Sequence, residues 1–340
     1  MGEAKKGRQD VLNVFYQVAA EGIKRYDVVS PEARLGLLDY SENATYVSTH
    51  PKTNEKYILR VSRPNYHKKV EIESEVNWLE TLHPLSKVFK VAKPIKGKNG
   101  KVIQSITLPH HDMEYYCTLF TYLEGERLDK ANEYALGKQF ERIGEITAHL
   151  HKHSIDYHEA FLGKNRLTWD SESILGEHPK WGRWQDGKGI TPEREKLFGE
   201  VSLTIQKRLE AFGKSKERFG LIHADLRLAN LLVKQGQISV IDFDDCGFGW
   251  YLFDLGASLS FIEHYDCIPD LIDAWLKGYR KVRRCSQAEE KEIPTFIMMR
   301  RLQLIAWIGS RDNETTAALG EQFTVDTDAL ALAYLEKMQE

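Results

Sequence analysis

Apolar side chains recur three and four positions apart over residues 10–26, which predicts an amphipathic helix near the start of the chain. Short runs of apolar, β-branched and aromatic residues follow, separated by polar turn segments. The runs typical of strands are residues 35–40, 46–49, 57–61, 102–108 and 115–122, and residues 67–82 between them have helical spacing. The first part of the chain is therefore predicted to be rich in β-structure.

The pattern changes after the polar stretch 123–126. Helical spacing then dominates, over residues 134–153, 193–212, 269–282 and 293–309. We therefore predict an α+β fold of two lobes. A small, β-rich N-terminal lobe spans residues 1–123, and a larger, mainly helical C-terminal lobe spans residues 124–340.

Composition and charge exclude several classes of protein. The 340 residues include 47 basic and 50 acidic ones, a net charge of −3, so nothing predicts a nucleic-acid or membrane partner. Four cysteines without paired spacing argue against a disulfide framework or a zinc site. Because no apolar run has the length of a signal core or a membrane span, we expect a cytoplasmic protein. A monomer or a homodimer is expected.

Polar residues with the chemistry of phosphoryl transfer are concentrated in one segment. His223, Asp225 and Asn230 stand close together, and Asp242 follows twelve residues after Asn230. A kinase needs one carboxylate to take the acceptor's hydroxyl proton, and an amide and a second carboxylate to hold the metal of the nucleotide. Turn capping is the alternative for each residue alone, but the joint spacing favours chemistry. For His223 by itself, orienting the loop is the favoured role.

The residues between Asn230 and Asp242 have the signature of a β-hairpin. Two apolar runs flank a turn-like stretch, residues 234–237, which predicts a loop of about four residues. Antiparallel pairing then sets Val233 opposite Ile238, and Asn230 opposite the residue before Asp242. Asn230 and Asp242 should therefore emerge at the same end of the hairpin and share a Mg²⁺ ion, which prefers oxygen ligands.

These motifs resemble the aminoglycoside phosphotransferase and choline kinase superfamily, the small-molecule kinases with a protein-kinase-like fold. The resemblance covers roughly residues 30–310 and is strongest from Leu221 to Leu255. It implies that Asp225 is the catalytic base and that Asn230 and Asp242 are magnesium ligands. It also implies a packing helix over residues 144–151. Asp254 is interpreted as a structural residue that anchors the loop carrying Asp242.

The resemblance further implies a nucleotide site in the N-terminal lobe. A kinase places a cation on the third strand, held by a glutamate of the following helix, and Arg60 and Glu75 fit these positions. Glu71, one turn earlier, is the alternative partner. Backbone amides around Ser41 and Asn43 are candidates for the phosphate loop. The nucleotide is expected to be ATP, with GTP not excluded.

Departures from the protein-kinase pattern narrow the acceptor. Ala224 stands where those kinases carry the arginine that can pair with an activation-loop phosphate, and Asp244 replaces the glycine of Asp-Phe-Gly. The pattern therefore favours a small-molecule acceptor or a constitutive enzyme. Carboxylates and aromatic residues after the hairpin suit an amine, whereas Arg183 would suit an acidic acceptor. Trp181 and Trp184, on either side of Arg183, are predicted to form either an acceptor lid or surface packing.

The leading hypothesis is Mg-ATP-dependent phosphorylation of a hydroxyl group on a small molecule: an amino alcohol, a hydroxy amino acid or an aminoglycoside. A bacterial Ser/Thr protein kinase of the same fold is the alternative with the same chemistry. A catalytically silent nucleotide-binding regulator is a third possibility, and the intact set Asp225, Asn230 and Asp242 argues against it. A metal hydrolase is disfavoured because no histidine cluster completes a ligand shell around His223.

Overall fold

The computed structural model describes residues 2–41, 43–109, 111–128, 136–161 and 165–339. Contacts divide the chain into two units, the first ending at Gly125 and the second beginning at Glu126. Glu42, inside the turn predicted between the first two strands, lies outside the described residues. Within the described residues, no helix combines the length and apolar character needed to cross a membrane.

The first unit consists of helices and an antiparallel sheet. Its elements are α1 (Gly2–Ile23), β1 (Arg34–Tyr40), β2 (Ala44–Thr49), β3 (Lys56–Val61), α2 (Lys69–Thr81), β4 (Lys90–Val91), β5 (Pro94–Ile95), β6 (Ile103–Thr107) and β7 (Glu114–Thr121). In the sheet β1, β2, β3, β7 and β5 are neighbours in that order, and β6 also pairs with β7. Every one of these pairs is antiparallel.

Helix α1 covers one face of this sheet and forms the core of the unit with it. Phe15, Val18 and Ala19 of α1 are buried in one cluster with residues of β2, β3 and β7. The helix lies close to β7 because Gly22 has no side chain: a Cβ there would lie 2.6 Å from the sulfur of Cys117. The helix that the apolar periodicity predicts is thus present, and its buried face packs against the sheet.

Helix α2 begins and ends near the predicted bounds, but the helical spacing, which predicts an apolar face of Val70, Val76, Trp78, Leu79 and Leu82, is wrong at one position. Trp78, Leu79 and Val76 are buried as the spacing predicts. Val70, however, is 42% exposed, and Ile72 is buried instead. Ile72 lies one turn before Val76 on the same helical face, whereas Val70, two positions before Ile72, is turned about 200° from it around the helix axis.

The second unit is mainly helical. Its helices are α3 (Leu136–Asp156), α4 (His158–Phe161), α5 (Ser171–Leu175), α6 (Pro192–Phe212), α7 (Phe253–Ser258), α8 (Ile268–Tyr279), α9 (Gln287–Glu290), α10 (Ile293–Ser310), α11 (Glu314–Leu319), α12 (Gln322–Val325) and α13 (Thr327–Gln339). Its strands are β8 (Glu126–Arg127), β9 (Leu167–Trp169), β10 (Phe219–Ile222), β11 (Leu231–Lys234), β12 (Gln237–Val240) and β13 (Gly247–Trp250). Strand β13 lies between β10, antiparallel to it, and β9, parallel to it.

Two glycines let α3 and α8 pack with their backbones in contact. A Cβ at Gly144 would collide with the carbonyl oxygen of Trp275, and a Cβ at Gly278 would collide with that of Glu141. Gly144 belongs to the segment for which the sequence predicts packing rather than chemistry. The close approach confirms that interpretation, and it also brings His151 of α3 beside Tyr279 of α8.

Candidate active site

The predicted hairpin is formed by β11 and β12, with a tighter turn than expected. Val233 pairs with Ile238, which confirms the predicted register. Only Gln235 and Gly236 form the turn, with φ of 51° and 76°. Two successive residues at positive φ are typical of the two-residue turns whose twist matches that of the flanking strands. The prediction of a four-residue loop was wrong because Lys234 and Gln237 pair with each other as the last residues of the two strands.

Asn230 and Asp242 lie at the same end of the hairpin. The backbone amide of Ile241 donates to the carbonyl oxygen of Asn230 at 3.0 Å, so pairing continues past the strands. Asp242 is the next residue, exposed and with φ of 64°. A non-glycine residue at positive φ is strained, and such strain is concentrated at functional sites. The backbone therefore places the carboxylate-bearing Asp242 directly after the residue that pairs with Asn230.

Asn230 contacts Asp225 directly. Its Nδ2 donates to Oδ2 of Asp225 and to the backbone carbonyl of Asp225, each at 2.8 Å. With Nδ2 used in this way, the amide oxygen Oδ1 is the atom that Asn230 can offer to a cation. The carboxylate of Asp242 and the amide oxygen of Asn230 are hard oxygen donors, which suit Mg²⁺. Asn230 is thus hydrogen-bonded to Asp225, and Asp242 follows the residue that pairs with Asn230.

Two arginines hold the carboxylate of Asp225. Nη2 of Arg300 donates to Oδ1 at 2.6 Å, and Nε of Arg227 donates to Oδ2 at 3.2 Å. Burial acts to raise the pKa of Asp225, but the positive charges of Arg227 and Arg300, with a contribution from His223, overcome it and hold the pKa below its usual value. Asp225 is therefore ionised at neutral pH, as a proton acceptor must be.

Arg300 is a site residue that the sequence analysis missed. It lies on α10, is 2% exposed, and also donates to Oγ of Ser260 and Oε1 of Gln303. Its guanidinium lies 5.2 Å from the ring centre of Trp181. The available signal was two adjacent arginines, Arg300 and Arg301, inside an otherwise apolar helical pattern, because buried charges need partners.

Asp254 anchors the loop of the base, which corrects the predicted role of this residue. Its carboxylate accepts the backbone amides of His223 at 3.2 Å and of Ala224 at 2.7 Å. It also contacts Nε2 of His151 at 3.0 Å. From sequence, Asp254 is predicted to anchor a different loop, the one that carries Asp242. Ala224 itself has φ of 68°, a strained conformation that these two amide contacts hold in place.

His223 connects the base to the hairpin, in agreement with its predicted structural role. Its Nε2 lies 3.1 Å from the carbonyl oxygen of Ile241, and its Nδ1 accepts the backbone amide of Asp225 at 3.3 Å. Burial lowers the pKa of His223, so the ring is neutral, with its proton on Nε2 facing the carbonyl. The ring therefore ties the residue before Asp242 to the loop of Asp225.

Arg166 and Trp169 support the segment that follows Asp242. The guanidinium of Arg166, which is buried, donates to the backbone carbonyls of Phe243, Asp244 and Cys246. The indole of Trp169 donates to the carbonyl of the residue between the last two at 2.7 Å. Carbonyls turned toward one guanidinium fix the path of the chain beyond the candidate metal ligand.

In the first unit, Arg60 and Glu75 form the predicted ion pair. Nη1 and Nη2 of Arg60 donate to Oε1 and Oε2 of Glu75 at 2.8 and 2.6 Å, a bidentate arrangement. Both side chains are buried, and the guanidinium lies 5.4 Å from the ring centre of Phe120. Glu71, the alternative partner, instead caps α2 by accepting the backbone amide of Lys68.

Ser41 and Asn43 lie at the turn between β1 and β2. Asn43 is buried, and its Oδ1 accepts the backbone amide of Arg63 at 3.0 Å. Ser41 is exposed, and its hydroxyl donates to Asp39 at 3.4 Å. The Oδ1 of Asn43 therefore fixes the turn, and the groups with which this residue could donate to a phosphate are its Nδ2 and its backbone amide.

Trp181 and Trp184 form neither the lid nor the surface packing that the sequence analysis weighed. Both side chains are buried, 6% and 4% exposed. Trp181 packs edge-on against Trp169 at 5.4 Å, and Trp184 packs against Phe198 at 6.1 Å. Large aromatic side chains stabilise most when fully covered, and here they fill the interior beside Arg300.

Comparison with known proteins identifies relatives over most of the chain. The family model of the phosphotransferase enzyme family (APH) matches residues 37–285. A solved microcompartment-associated aminopropanol kinase is 38% identical, with a TM-score of 0.85 over 95% of this chain and 98% of that one. Amicoumacin kinase of Bacillus subtilis (strain 168) is 25% identical over 86% of this chain and 85% of the relative.

A solved amicoumacin kinase, hAmiN, in complex with AMP-PNP, Ca²⁺ and Ami, shares the fold with a TM-score of 0.73. The two sequences are 22% identical, and the match covers 98% of this chain and 96% of hAmiN. This chain has a small sheet-containing unit and a mainly helical unit, and its structural neighbours are kinases, so the predicted α+β, protein-kinase-like fold is confirmed.

Proposed function

Because the chain belongs to the phosphotransferase enzyme family and is a small-molecule kinase, we propose that it transfers the γ-phosphoryl group of ATP to the hydroxyl group of a small amino alcohol, with Mg²⁺ as the metal. The observation that carries the proposal is that Asn230, which is hydrogen-bonded to Asp225, and Asp242 lie at the same end of one hairpin. Phosphoryl transfer depends on positioning and charge stabilisation, and this set is built for both.

Asp225 is the proposed catalytic base. Its carboxylate is kept ionised by two arginines, so it can accept a hydrogen bond from the acceptor hydroxyl and take its proton during transfer. The buried Arg300 engages Oδ1, whereas Oδ2 accepts from Asn230 and from the part-exposed Arg227, so the acceptor hydroxyl is proposed to reach Oδ2 where Arg227 now donates. The fixed loop of His223 and Ala224 holds that oxygen in position.

Asn230 and Asp242 are the proposed magnesium ligands, through the amide Oδ1 and the carboxylate. Bound there, the ion would neutralise charge on the nucleotide phosphates. The donor set is made of oxygens alone, which suits Mg²⁺ better than zinc or copper. The AMP-PNP and Ca²⁺ named for the related hAmiN kinase support a divalent cation beside an adenine nucleotide.

Arg60 is the proposed ligand of the nucleotide phosphates, oriented by Glu75. A guanidinium fixed by a bidentate carboxylate cannot swing away, and its charge is permanent. Backbone amides near Ser41 and Asn43 are proposed to contact the same phosphates. ATP is preferred over GTP on the strength of the related complex with AMP-PNP.

The acceptor is proposed to be an amino alcohol because the aminopropanol kinase matches this chain over nearly its whole length. The second candidate is a hydroxyl-bearing antibiotic, which the 25% identical amicoumacin kinase favours. The two differ greatly in size, so a direct comparison of acceptors separates them.

The test is an ATP-consumption assay with Mg²⁺ and a panel that contains 1-amino-2-propanol, ethanolamine, homoserine, an aminoglycoside and amicoumacin. Phosphorus NMR of the product identifies the phosphorylated group. We expect turnover of an amino alcohol and a fall in kcat of about 10²–10⁴-fold in Asp225→Asn, which keeps the shape of the side chain. Full activity of this variant would remove Asp225 as the base, and turnover of amicoumacin alone would favour the second candidate.

A further inference from the structure

The structure already holds a cation against the proposed base. Nε of Arg227 donates to Oδ2 of Asp225 at 3.2 Å, and its guanidinium carbon lies 5.8 Å from the ring centre of Phe261. The side chain of Arg227 is 33% exposed, so it lies at the edge of the solvent. A carboxylate on one side and an aromatic face on the other are what proteins use to bind an ammonium group.

Phe261 is held in a strained backbone conformation. Its φ is 75°, which is unfavourable for a bulky aromatic residue and persists only where the surroundings enforce it. The neighbouring residues are fixed from α10: Nε of Arg300 donates to Oγ of Ser260 at 3.0 Å, and Nη1 of Arg301 donates to Oε2 of Glu263 at 2.8 Å. Two buried arginines on one helix thus clamp the residues on either side of this ring.

The ring of Phe261 is part of a half-exposed aromatic wall. Its centre lies 6.3 Å from that of Trp307, which is also half-buried, and 6.0 Å from that of Phe323, which is buried. A ring that served only the core would be covered, whereas this one is partly exposed and has the guanidinium of Arg227 beside it. The wall, its strain and its charged neighbour coincide at the proposed base.

We propose that the face of Phe261, together with Asp225, is the subsite for the ammonium group of the acceptor, and that Arg227 occupies this subsite until the acceptor displaces it. The inference rests on the proposed function. In a short amino alcohol the ammonium group lies only a few bonds from the hydroxyl, so a hydroxyl at Asp225 brings the ammonium group within reach of this ring. Two cations repel at that distance, and Arg227, which is part-exposed and long, is the one able to move.

The first test compares a cationic acceptor with its neutral counterpart. Phe261→Leu keeps an apolar side chain but removes the π-face, and it should raise KM for 1-amino-2-propanol about tenfold. KM for propane-1,2-diol, or its inhibition constant where it is turned over slowly, should stay within about twofold of wild type. Phe261→Tyr keeps the ring and should resemble wild type with both compounds. Equal changes for both compounds, or no change for the cation, would overturn the subsite.

Tyr265→Leu is the matched control, because Tyr265 is an aromatic residue in the segment after α7 that is 50% exposed. It should leave both constants unchanged. An effect of this variant as large as that of Phe261→Leu would mean that the segment responds to any aromatic loss, and the assignment of Phe261 would fail.

The second test removes the competing cation. Arg227→Met keeps much of the volume and should lower KM for 1-amino-2-propanol about two- to fivefold, the range expected for loss of a part-exposed ion pair. Arg227→Lys keeps a charge at the same place and should lower it less. A higher KM in Arg227→Met would show that Arg227 binds the acceptor rather than substituting for it.

Calorimetric binding of 1-amino-2-propanol without ATP separates this inference from the proposed function. Binding that depends on Phe261, without phosphorylation, would keep the subsite and remove the kinase assignment for this acceptor. Phosphorylation that does not depend on Phe261 would keep the function and remove the subsite. Absence of both binding and phosphorylation in the wild-type protein would overturn both.

Discussion

Arg300→Gln tests directly how the proposed base is kept ionised. The substitution removes the guanidinium that donates to Oδ1 of Asp225 at 2.6 Å. With Arg300 2% and Asp225 14% exposed, neither salt nor water screens the pair strongly. Burial already acts to raise the pKa of Asp225, and part of the charge that opposes it is lost in the variant. We therefore expect the pKa of Asp225 to rise.

The size of the effect follows from the geometry. An arginine beside a carboxylate lowers its pKa by about 1–3 units, and one unit corresponds to about 1.4 kcal/mol. Because Arg227 still contacts Oδ2 at 3.2 Å, part of the opposing charge remains, and the pKa of Asp225 should rise less than if both arginines were removed. The variant should also lose about 3–5 kcal/mol of unfolding free energy, since a buried carboxylate loses a partner. Arg300→Lys keeps the charge without the planar fork and should give a smaller rise.

The assay is the pH dependence of kcat/KM, whose acid limb reports the free enzyme's base. For the wild-type protein we expect that limb below the ordinary range of an aspartate, and for Arg300→Gln at a higher pH than in the wild-type protein. Denaturant unfolding in the same buffers identifies the pH range in which the variant is folded. An acid limb that stays at the wild-type position in the folded variant would refute the reasoning.

Three further predictions concern the metal, the nucleotide and the fold. Asp242→Asn should raise the Mg²⁺ concentration for half-activation by more than the roughly 10–100-fold that loss of an outer-shell partner costs; a near-normal metal titration would contradict the ligand role. Arg60→Met should raise KM for ATP and, by leaving the buried Glu75 unpaired in charge, lower the unfolding free energy by about 3–5 kcal/mol. Replacing Glu75 by Met as well should restore stability but not KM, and recovery of both would remove Arg60 from the nucleotide site. Burial lowers the pKa of His151 and His223, so the unfolded chain binds protons that the folded chain does not, and the unfolding free energy should fall as pH drops below about 6.5. Urea titrations that give a flat profile between about pH 7 and 5 would contradict this.

Periodicity predicted the elements that carry the site because their buried faces repeat with the geometry of the backbone. The helices α6, α8 and α10 begin and end within a few residues of the predicted segments. The register of β11 and β12 followed from the apolar runs and the turn between them, and it placed Asn230 and Asp242 correctly at one end. The pairing of Arg60 with Glu75 followed from positions on a strand and the next helix.

Contacts between residues distant in sequence have no local signature, and these are what the sequence analysis missed. Arg300 lies 75 positions from Asp225, so nothing near either residue indicates the other. Asp254 was assigned to the wrong loop because it follows Asp242 closely along the chain. Strand β13, however, pairs with β10, which directly precedes His223, and so returns the chain to the loop of the base.

The buried charges around Asp225 are better explained by position than by stability. Asp254 is fully buried and Arg300 almost so, and replacing buried ionic groups with apolar residues of similar size is often neutral or stabilising. A core selected for stability alone would not need them. These residues instead hold parts of the site in position. Asp254 fixes the backbone amides before Asp225, and Arg300 fixes one oxygen of the Asp225 carboxylate. The neutral ring of His223 fixes the distance from this loop to the hairpin. In-line transfer loses rate steeply when a group is displaced by about 1 Å. The free-energy cost of burying these charges is therefore explained by the fixed position that they give to the carboxylate of Asp225.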